Sequence, residues 1–280
     1  MLQCIECGDE QFEDDLILIN DSHICINCSR KLPPLEFNNV YNMNCLDGMK
    51  LIKTETIDLI LTDPPYGVSY NEKSKHLKLL GKSGQKQIER DKYYIEFGKS
   101  EGTLDYFQLA KQFYRVLKNN SHCYIFCGDK QITSWVPAIE KAGFKFVQLL
   151  IWYKNAPTFD LTMGHKFVEY KENVLFFQKG WKKLNSGNPY TSSSVLKFNR
   201  LNKCEIHPTE RPQDLLQHLI KLSSNEGDVV LDAFAGSGAH LIAALSLNRK
   251  FIGFELSKHY YQEIMKRLNN YKSQKKLTHF

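Results

Sequence analysis

The chain predicts an α/β fold, a mostly parallel sheet flanked by helices, with a small metal-binding segment at its N-terminus. Three observations predict it. After Pro34, short apolar runs alternate with helix-period stretches. Near the C-terminus a strand runs straight into a glycine turn and then a helix, Asp228-Val229-Val230-Leu231-Asp232-Ala233-Phe234-Ala235-Gly236-Ser237-Gly238. In the first thirty residues, two C-x-x-C pairs stand at the spacing of a four-thiolate site.

Those pairs are Cys4/Cys7 and Cys25/Cys28. A C-x-x-C turn sets two sulfurs on one side of a tight bend, and two such turns complete the tetrahedron that structural zinc prefers. A redox dithiol is the competing reading, but it would be expected beside a βαβ pattern, which is absent here. His23 is a lesser candidate ligand. Residues 1–32 form the predicted zinc segment, Lys31-Leu32-Pro33-Pro34 the linker, and 33–280 one larger domain. So short a segment needs its metal to fold.

With 280 residues, 42% of them hydrophobic, the chain can bury a full core, which excludes disordered and fibrous classes. No apolar stretch is long enough for a membrane span, and the first residues have neither a basic nor an apolar signal region, so a cytoplasmic location is expected. Cysteine number without export signal argues for thiols or metal over disulfides.

Strands are predicted near 57–62, 122–127, 146–153, 172–178, 228–232 and 251–255. Helices are predicted near 103–117, 131–142, 212–223, 238–247 and 258–270, with Thr103 and Ser257 as N-caps. Two long connections, 67–102 and 179–206, carry most of the basic excess behind the formal charge of +6. Between Gln178 and Cys204 there is no Asp or Glu, while Lys182, Lys183, Lys197 and Arg200 recur among aromatic and small polar residues. Such segments suit a polyanion, although solvated loops commonly carry the same composition.

The first predicted strand ends in Leu61-Thr62-Asp63-Pro64-Pro65-Tyr66-Gly67. One proline would stop a strand, so two beside an acid and an aromatic ring suggest more than a stop. An exocyclic amino group is a poor nucleophile because its lone pair is delocalised into the ring. Two acceptors aimed at its hydrogens, the Asp63 carboxylate and the Pro64 carbonyl, would turn that lone pair toward an electrophile. The prolines would stiffen the carbonyl, and Tyr66 would offer a face for an extruded base. A plain proline-rich turn has the same composition.

The glycine turn lacks the third small residue of a dinucleotide fingerprint, since position 241 is Leu. Asp232 at one strand end and Glu255 at the next suit a ligand with an ammonium at one end and a ribose at the other. S-adenosylmethionine has both, though another nucleotide or a structural turn fits a glycine pair as well.

Taken together, these motifs resemble the DNA amino-methyltransferases of the β arrangement, in which the catalytic motif precedes the cofactor motif. The resemblance runs from Val40 onward. It implies a permuted Rossmann-like methyltransferase sheet with an antiparallel edge hairpin, here 146–153 with 172–178. It implies cofactor contacts from Asn44 and Cys45, from His207, Thr209 and Arg211 in His207-Pro208-Thr209-Glu210-Arg211-Pro212, and from Phe234, Gly236, Ser237 and Gly238. Ile151-Trp152-Tyr153-Lys154-Asn155-Ala156-Pro157 resembles the stretch beside the target-base pocket. Asn44, Ala233, Ala239 and Glu210-Arg211 depart from the usual pattern of Asp, Pro, Thr or Ser, and Gln-Lys.

The implied activity is sequence-specific methylation of adenine N6 in DNA, as in a restriction-modification or orphan methyltransferase; the sequence leaves open whether a homodimer forms and whether a cognate restriction enzyme exists. Asp63 favours adenine because the family more often has Ser there for cytosine. The rivals are N4-cytosine methylation, an RNA or protein amide methyltransferase, and a zinc-containing DNA-binding regulator with an inactive core.

Overall fold

The structure is a computed structural model that describes residues 2–7, 10–11, 16–19, 22–25, 34–65, 104–158, 167–186, 193–201 and 210–277. Its centre is an eight-stranded sheet in the order β10-β8-β9-β7-β6-β11-β12-β5. These strands are β5 (Asn39–Tyr41), β6 (Ile57–Thr62), β7 (Leu117–Cys127), β8 (Lys145–Thr158), β9 (Glu169–Lys179), β10 (Val195–Lys197), β11 (Val229–Asp232) and β12 (Lys250–Phe254). Among the described residues of this sheet, only β9 runs against its neighbours; the other pairings are parallel.

Near-continuous apolar runs form these strands because both faces are covered. On one face Leu59, Leu61, Tyr124, Phe126, Val174, Phe176, Leu150 and Trp152 pack under α4 (Gln213–Ser223), α5 (Ala239–Ser246) and α6 (Lys258–Leu277). On the other, Ile60, Cys123, Ile125, Leu175, Phe177 and Leu231 meet α1 (Cys45–Lys50), α2 (Tyr106–Val116) and α3 (Ile132–Lys141).

The expected strands and helices are present, with shifted ends. α2 is capped by Asp105, whose side chain accepts from the Gln108 amide at 2.9 Å, and the expected cap Thr103 lies outside the described residues. Ser257 does cap α6, accepting from the Tyr260 amide at 3.4 Å. The antiparallel hairpin β8–β9 is one strand in from the edge, because β10 adds to β8 in parallel register. Neither β10 nor β5 was expected; three residues are too few to display a period.

Before the sheet, β1 (Leu2–Gln3) pairs with β2 (Glu10–Gln11), and β3 (Leu16–Ile19) with β4 (Ser22–Cys25), all antiparallel. Among the described residues, no helix is long and apolar enough to cross a membrane.

Candidate active site

Parallel pairing carries the ends of β6, β11 and β12 to one side of the sheet, and with them Asp63, Asp232 and Glu255. Open α/β sheets take their ligands at this edge. Thr62 and Asp232 tie two of these strand ends together, the Thr62 hydroxyl donating to Asp232 Oδ1 at 2.8 Å.

Asp232 is fully buried, and its carboxylate is engaged within the fold. Besides Thr62, Oδ1 accepts from the Phe234 amide at 3.1 Å, and Oδ2 lies 3.0 Å from Nδ1 of His240. The His240 contact lacks hydrogen-bond geometry, so among the described residues Oδ2 is a buried carboxylate oxygen without a hydrogen bond at this strand end. His240, in the first turn of α5, was not singled out in the sequence.

Glu255 is held from both sides. Its Oε2 accepts from the Gly236 amide and its Oε1 from the Ser257 amide, each at 2.8 Å. A carboxylate oxygen accepts more than one hydrogen bond, so this lock orients the group without exhausting it. The turn beside it runs through left-handed backbone at Gly236 (φ 52°) and Gly238 (φ 74°), where a Cβ would be strained. Gly238 caps α5 without a side-chain hydrogen bond, so the backbone amides at that N-terminus face the site uncapped. Ser237 is buried beside them, and Phe234 is half-buried.

Asn44 caps α1, its Oδ1 accepting from the Leu46 amide at 2.9 Å, and Cys45 is the buried first residue of that helix. The end of β5 reaches Glu255 as well, since the Tyr41 carbonyl accepts from the Glu255 amide at 3.1 Å.

Asp63 leaves β6 at the same edge, followed by a buried Pro64 and a half-buried Pro65. Gln131, also missed in the sequence, fixes the end of this motif. Its Nε2 donates to the Pro65 carbonyl at 2.9 Å, while its Oε1 accepts from the Gly128 amide at 3.1 Å. Arg211 is buried too, and its guanidinium pairs with Asp63 at 2.9 Å. Tyr66, His207 and Thr209 lie outside the described residues, as does the basic segment within 67–102.

The four basic residues expected to meet a polyanion fall at two ends of the molecule. Because β9 is antiparallel, residues after Lys179 emerge at the amino edge of the parallel strands, away from Asp63. Lys182 there donates to the Ser223 carbonyl at 3.0 Å, and its own carbonyl lies 3.1 Å from Nε2 of His122. His122 pairs with Leu59, four residues back from Asp63. Lys183 follows, lying 5.7 Å from the centre of the Trp181 ring. Lys197 and Arg200 belong to the active-site edge. Lys197 is exposed and pairs with Tyr153 in the upper part of β8, and Arg200 donates to the Pro157 carbonyl at 3.0 Å.

In the N-terminal segment, the sulfurs of Cys4, Cys7 and Cys25 lie within 4.8 Å of one another. Cys4 and Cys25 are buried, and the Cys25 amide donates to Cys4 Sγ at 3.2 Å. That hydrogen bond draws the Cys4 thiol down to about pKa 6, toward the thiolate that metals bind. Cys28 lies outside the described residues.

The DNA methylase family of N6 and N4 amino-methyltransferases matches residues 57–266. The chain belongs to that family. This methylase is 31% identical over 238 residues to the Type II methyltransferase M2.DpnII of Streptococcus pneumoniae, covering 78% of the chain and 84% of the relative. It is 27% identical over 271 residues to the DNA adenine methyltransferase YhdJ of Escherichia coli, covering 84% and 85%. Among solved structures, the M1.HpyAVI–SAM complex superposes with a TM-score of 0.60 at 23% identity, covering 82% of the chain and 98% of that one. The PvuII cytosine-N4-specific DNA methyltransferase superposes at 0.62 with 15% identity, covering 86% and 93%. These likenesses establish the methyltransferase fold, and the family match makes the chain a DNA methyltransferase.

Proposed function

We propose that the methylase transfers a methyl group from S-adenosylmethionine to the N6 amino group of an adenine extruded from DNA. The observation that carries this reading is Asp63, a carboxylate at the end of β6 beside the glycine turn and Glu255. The residues present fit the cofactor: the locked carboxylate of Glu255 suits ribose hydroxyls, and the uncapped amides at the start of α5 suit a carboxylate. Asn44 and Cys45 would border the adenine end, and His207, Thr209 and Arg211 the methionine end. When bound, the cofactor supplies an electrophilic methyl on sulfur.

The chain does the rest. Asp63 and the Pro64 carbonyl accept the two amino hydrogens, so the nitrogen becomes more tetrahedral as its lone pair turns to the methyl carbon. Gln131 keeps the peptide at Pro65 from rotating. Tyr66 stacks on the extruded base. Adenine is favoured over cytosine by the leading Asp63 and by the relative named for adenine.

Besides DNA, we propose a cognate restriction enzyme and a second copy of the chain as partners, in the cytoplasm. We further assign zinc to Cys4, Cys7, Cys25 and Cys28 as a unit apart from the methylase domain. Metal analysis of freshly reduced protein should give one zinc per chain, lowered in Cys4→Ser; protein free of zinc would refute that assignment.

The test of the main reading is to incubate unmethylated DNA with the protein and labelled S-adenosylmethionine, digest, and identify the labelled nucleoside. N6-methyladenosine in its deoxy form is expected. Label in N4-methyldeoxycytidine would transfer the same mechanism to cytosine, and no label in DNA would reject it.

A further inference from the structure

Glu172 stands in none of the motifs read from the sequence, yet it reaches the catalytic carboxylate through one intermediary. Its Oε2 lies 2.8 Å from a terminal nitrogen of Arg211, and that same nitrogen lies 2.9 Å from Asp63 Oδ2. Glu172 Oε1 in turn meets Lys154 at 3.1 Å. Arg211 is 4% exposed and Lys154 2%, so the two cations are out of water. The guanidinium carbon sits 5.2 Å from the centre of the Phe126 ring and 5.7 Å from that of Trp152, which fixes it from its other faces.

Strand direction explains how these groups meet. Glu172 is paired with Trp152 across the antiparallel β8–β9 hairpin. Trp152 and Lys154 share one face of β8, and Glu172 shares the face of Val174 and Phe176 on β9. The charged groups thus continue the core face of Phe126 and Trp152 beyond its apolar part, and Arg211 enters from the chain just before α4.

A buried cation is tolerated when it is paired and hydrogen-bonded, and removing one partner costs more than the pair itself is worth. Two carboxylates here balance two cations. Arg211 cannot move without giving up Glu172, and Asp63 Oδ2 is held where Arg211 is held.

We propose that Glu172 is a positioning residue for methyl transfer: by holding Arg211 it sets where the guanidinium meets Asp63, and so the direction in which that carboxylate faces the amino group. Lys154 holds Glu172 from behind. This rests on the reading of Asp63 as an acceptor for the amino hydrogens. Arg211 then serves the catalytic acid, in addition to any contact with the methionine end of the cofactor.

The test compares Glu172→Gln, Arg211→Lys, Arg211→Gln and the double variant Glu172→Gln/Arg211→Gln in single-turnover methylation at saturating cofactor. Cofactor and DNA affinities and thermal midpoints are measured alongside. Because a misaim of under an ångström is costly, Glu172→Gln should slow the transfer step about 10- to 100-fold. Its affinities should stay within about threefold of wild type, since an interaction felt in the transition state does not appear in binding. Arg211→Lys should keep more of the rate than Arg211→Gln, and the double variant should be no slower than Arg211→Gln alone, because Glu172 acts through Arg211.

A transfer rate for Glu172→Gln within about twofold of wild type would overturn the proposal. So would losses that multiply in the double variant, which would mark Glu172 as a separate structural support. If Glu172→Gln gives no cooperative melting transition, Glu172→Gln/Lys154→Met replaces it, since that pair removes one charge of each sign. Wild-type protein that labels neither adenine nor cytosine would reject the acceptor reading of Asp63 and leave the ion-pair geometry untouched.

Discussion

Arg211 and Lys179 are both buried cations, one at each edge of the sheet, and they end on different kinds of partner. Arg211, at the carboxyl edge, is shared between Asp63 and Glu172. Lys179, at the amino edge, donates to the Tyr114 and Leu117 carbonyls at 2.9 and 2.8 Å, with Glu55 at 3.1 Å. The Tyr114 carbonyl belongs to the last turn of α2, which lacks intrahelical partners and welcomes a cation, and the Leu117 carbonyl to the extended cap that follows it. A cation that finishes a helix is satisfied by groups that do no chemistry. One that finishes on a strand-end carboxylate changes what that carboxylate can do. Both edges hold a buried cation, but only the one at the carboxyl edge is paired with the strand-end carboxylate of Asp63.

Removing the group at the centre of the carboxyl edge should have the largest effect. Asp63→Ala should abolish methyl transfer, a loss of at least about 10³-fold, while cofactor and DNA affinities stay near wild type, because the interaction is strongest in the transition state. Near-normal turnover of this variant would reduce the Asp-Pro-Pro-Tyr stretch to a turn and erase the functional contrast between the two edges.

The amino edge should answer to pH instead. His122 is fully buried, with Nδ1 2.8 Å from the Ser223 hydroxyl and Nε2 3.1 Å from the Lys182 carbonyl. Burial, aided by the nearby Lys182 charge, pulls its pKa down to about 4. The folded protein therefore resists a proton that the unfolded chain accepts near pH 6.5. Stability from this group is complete above that pH, declines as pH falls, and levels off below about pH 4, a total of roughly 3 kcal/mol. His122→Gln should flatten the slope of unfolding free energy between those pH values; an unchanged slope would mean that another group titrates there.

Lys179→Met sharpens the same contrast. It strands two carbonyls at the end of α2 and should cost roughly 2–3 kcal/mol of stability, read by denaturant unfolding, with the transfer rate of the folded fraction unchanged. A slower transfer step at full folding would show that the two edges communicate. Glu255→Ala should do the reverse at the carboxyl edge. Losing a charged acceptor of about 1.5–3 kcal/mol predicts a cofactor Kd raised roughly 10- to 100-fold in calorimetry. Wild-type affinity would move the pocket elsewhere.

How much of this was legible depended on whether a feature is local or needs strand direction. Asp63, the glycine turn and Glu255 each stand at the end of an apolar run, so their place together at the carboxyl edge was legible in the sequence. Glu172 was hidden although the antiparallel hairpin was expected, because its meeting with Arg211 joins distant segments that no spacing relates. Antiparallel β9 also places Lys182 and Lys183, which follow it, at the opposite edge from Lys197 and Arg200, a split that composition does not show. Asp232 was legible as a strand-end acid, but its neighbours were not: Thr62, which donates to Oδ1, and His240, 3.0 Å from Oδ2, have no signature in the spacing. Gln131 acts through a single hydrogen bond to a backbone carbonyl, which no residue pattern announces.

The smallest effect separates basic residues that the sequence grouped together. Lys197 lies at the edge that holds Asp63, four strand spacings or about 19 Å away across the sheet, within the footprint of a duplex whose base is extruded at Asp63. Lys183 follows a carbonyl already at the level of Leu59, about 13 Å down the strand from Asp63 and directed away from it. A straight duplex docked at the carboxyl edge reaches Lys197 before it reaches Lys183. Lys197→Ala should therefore weaken DNA binding and reduce the slope of log affinity against log salt by about 1, the signature of one lost phosphate contact, while Lys183→Ala should leave both unchanged. Equal slopes for the two variants would mean that DNA wraps both edges or touches neither lysine. A reduced slope for Lys183→Ala alone would place the duplex at the amino edge and separate it from the residues assigned here to the chemistry.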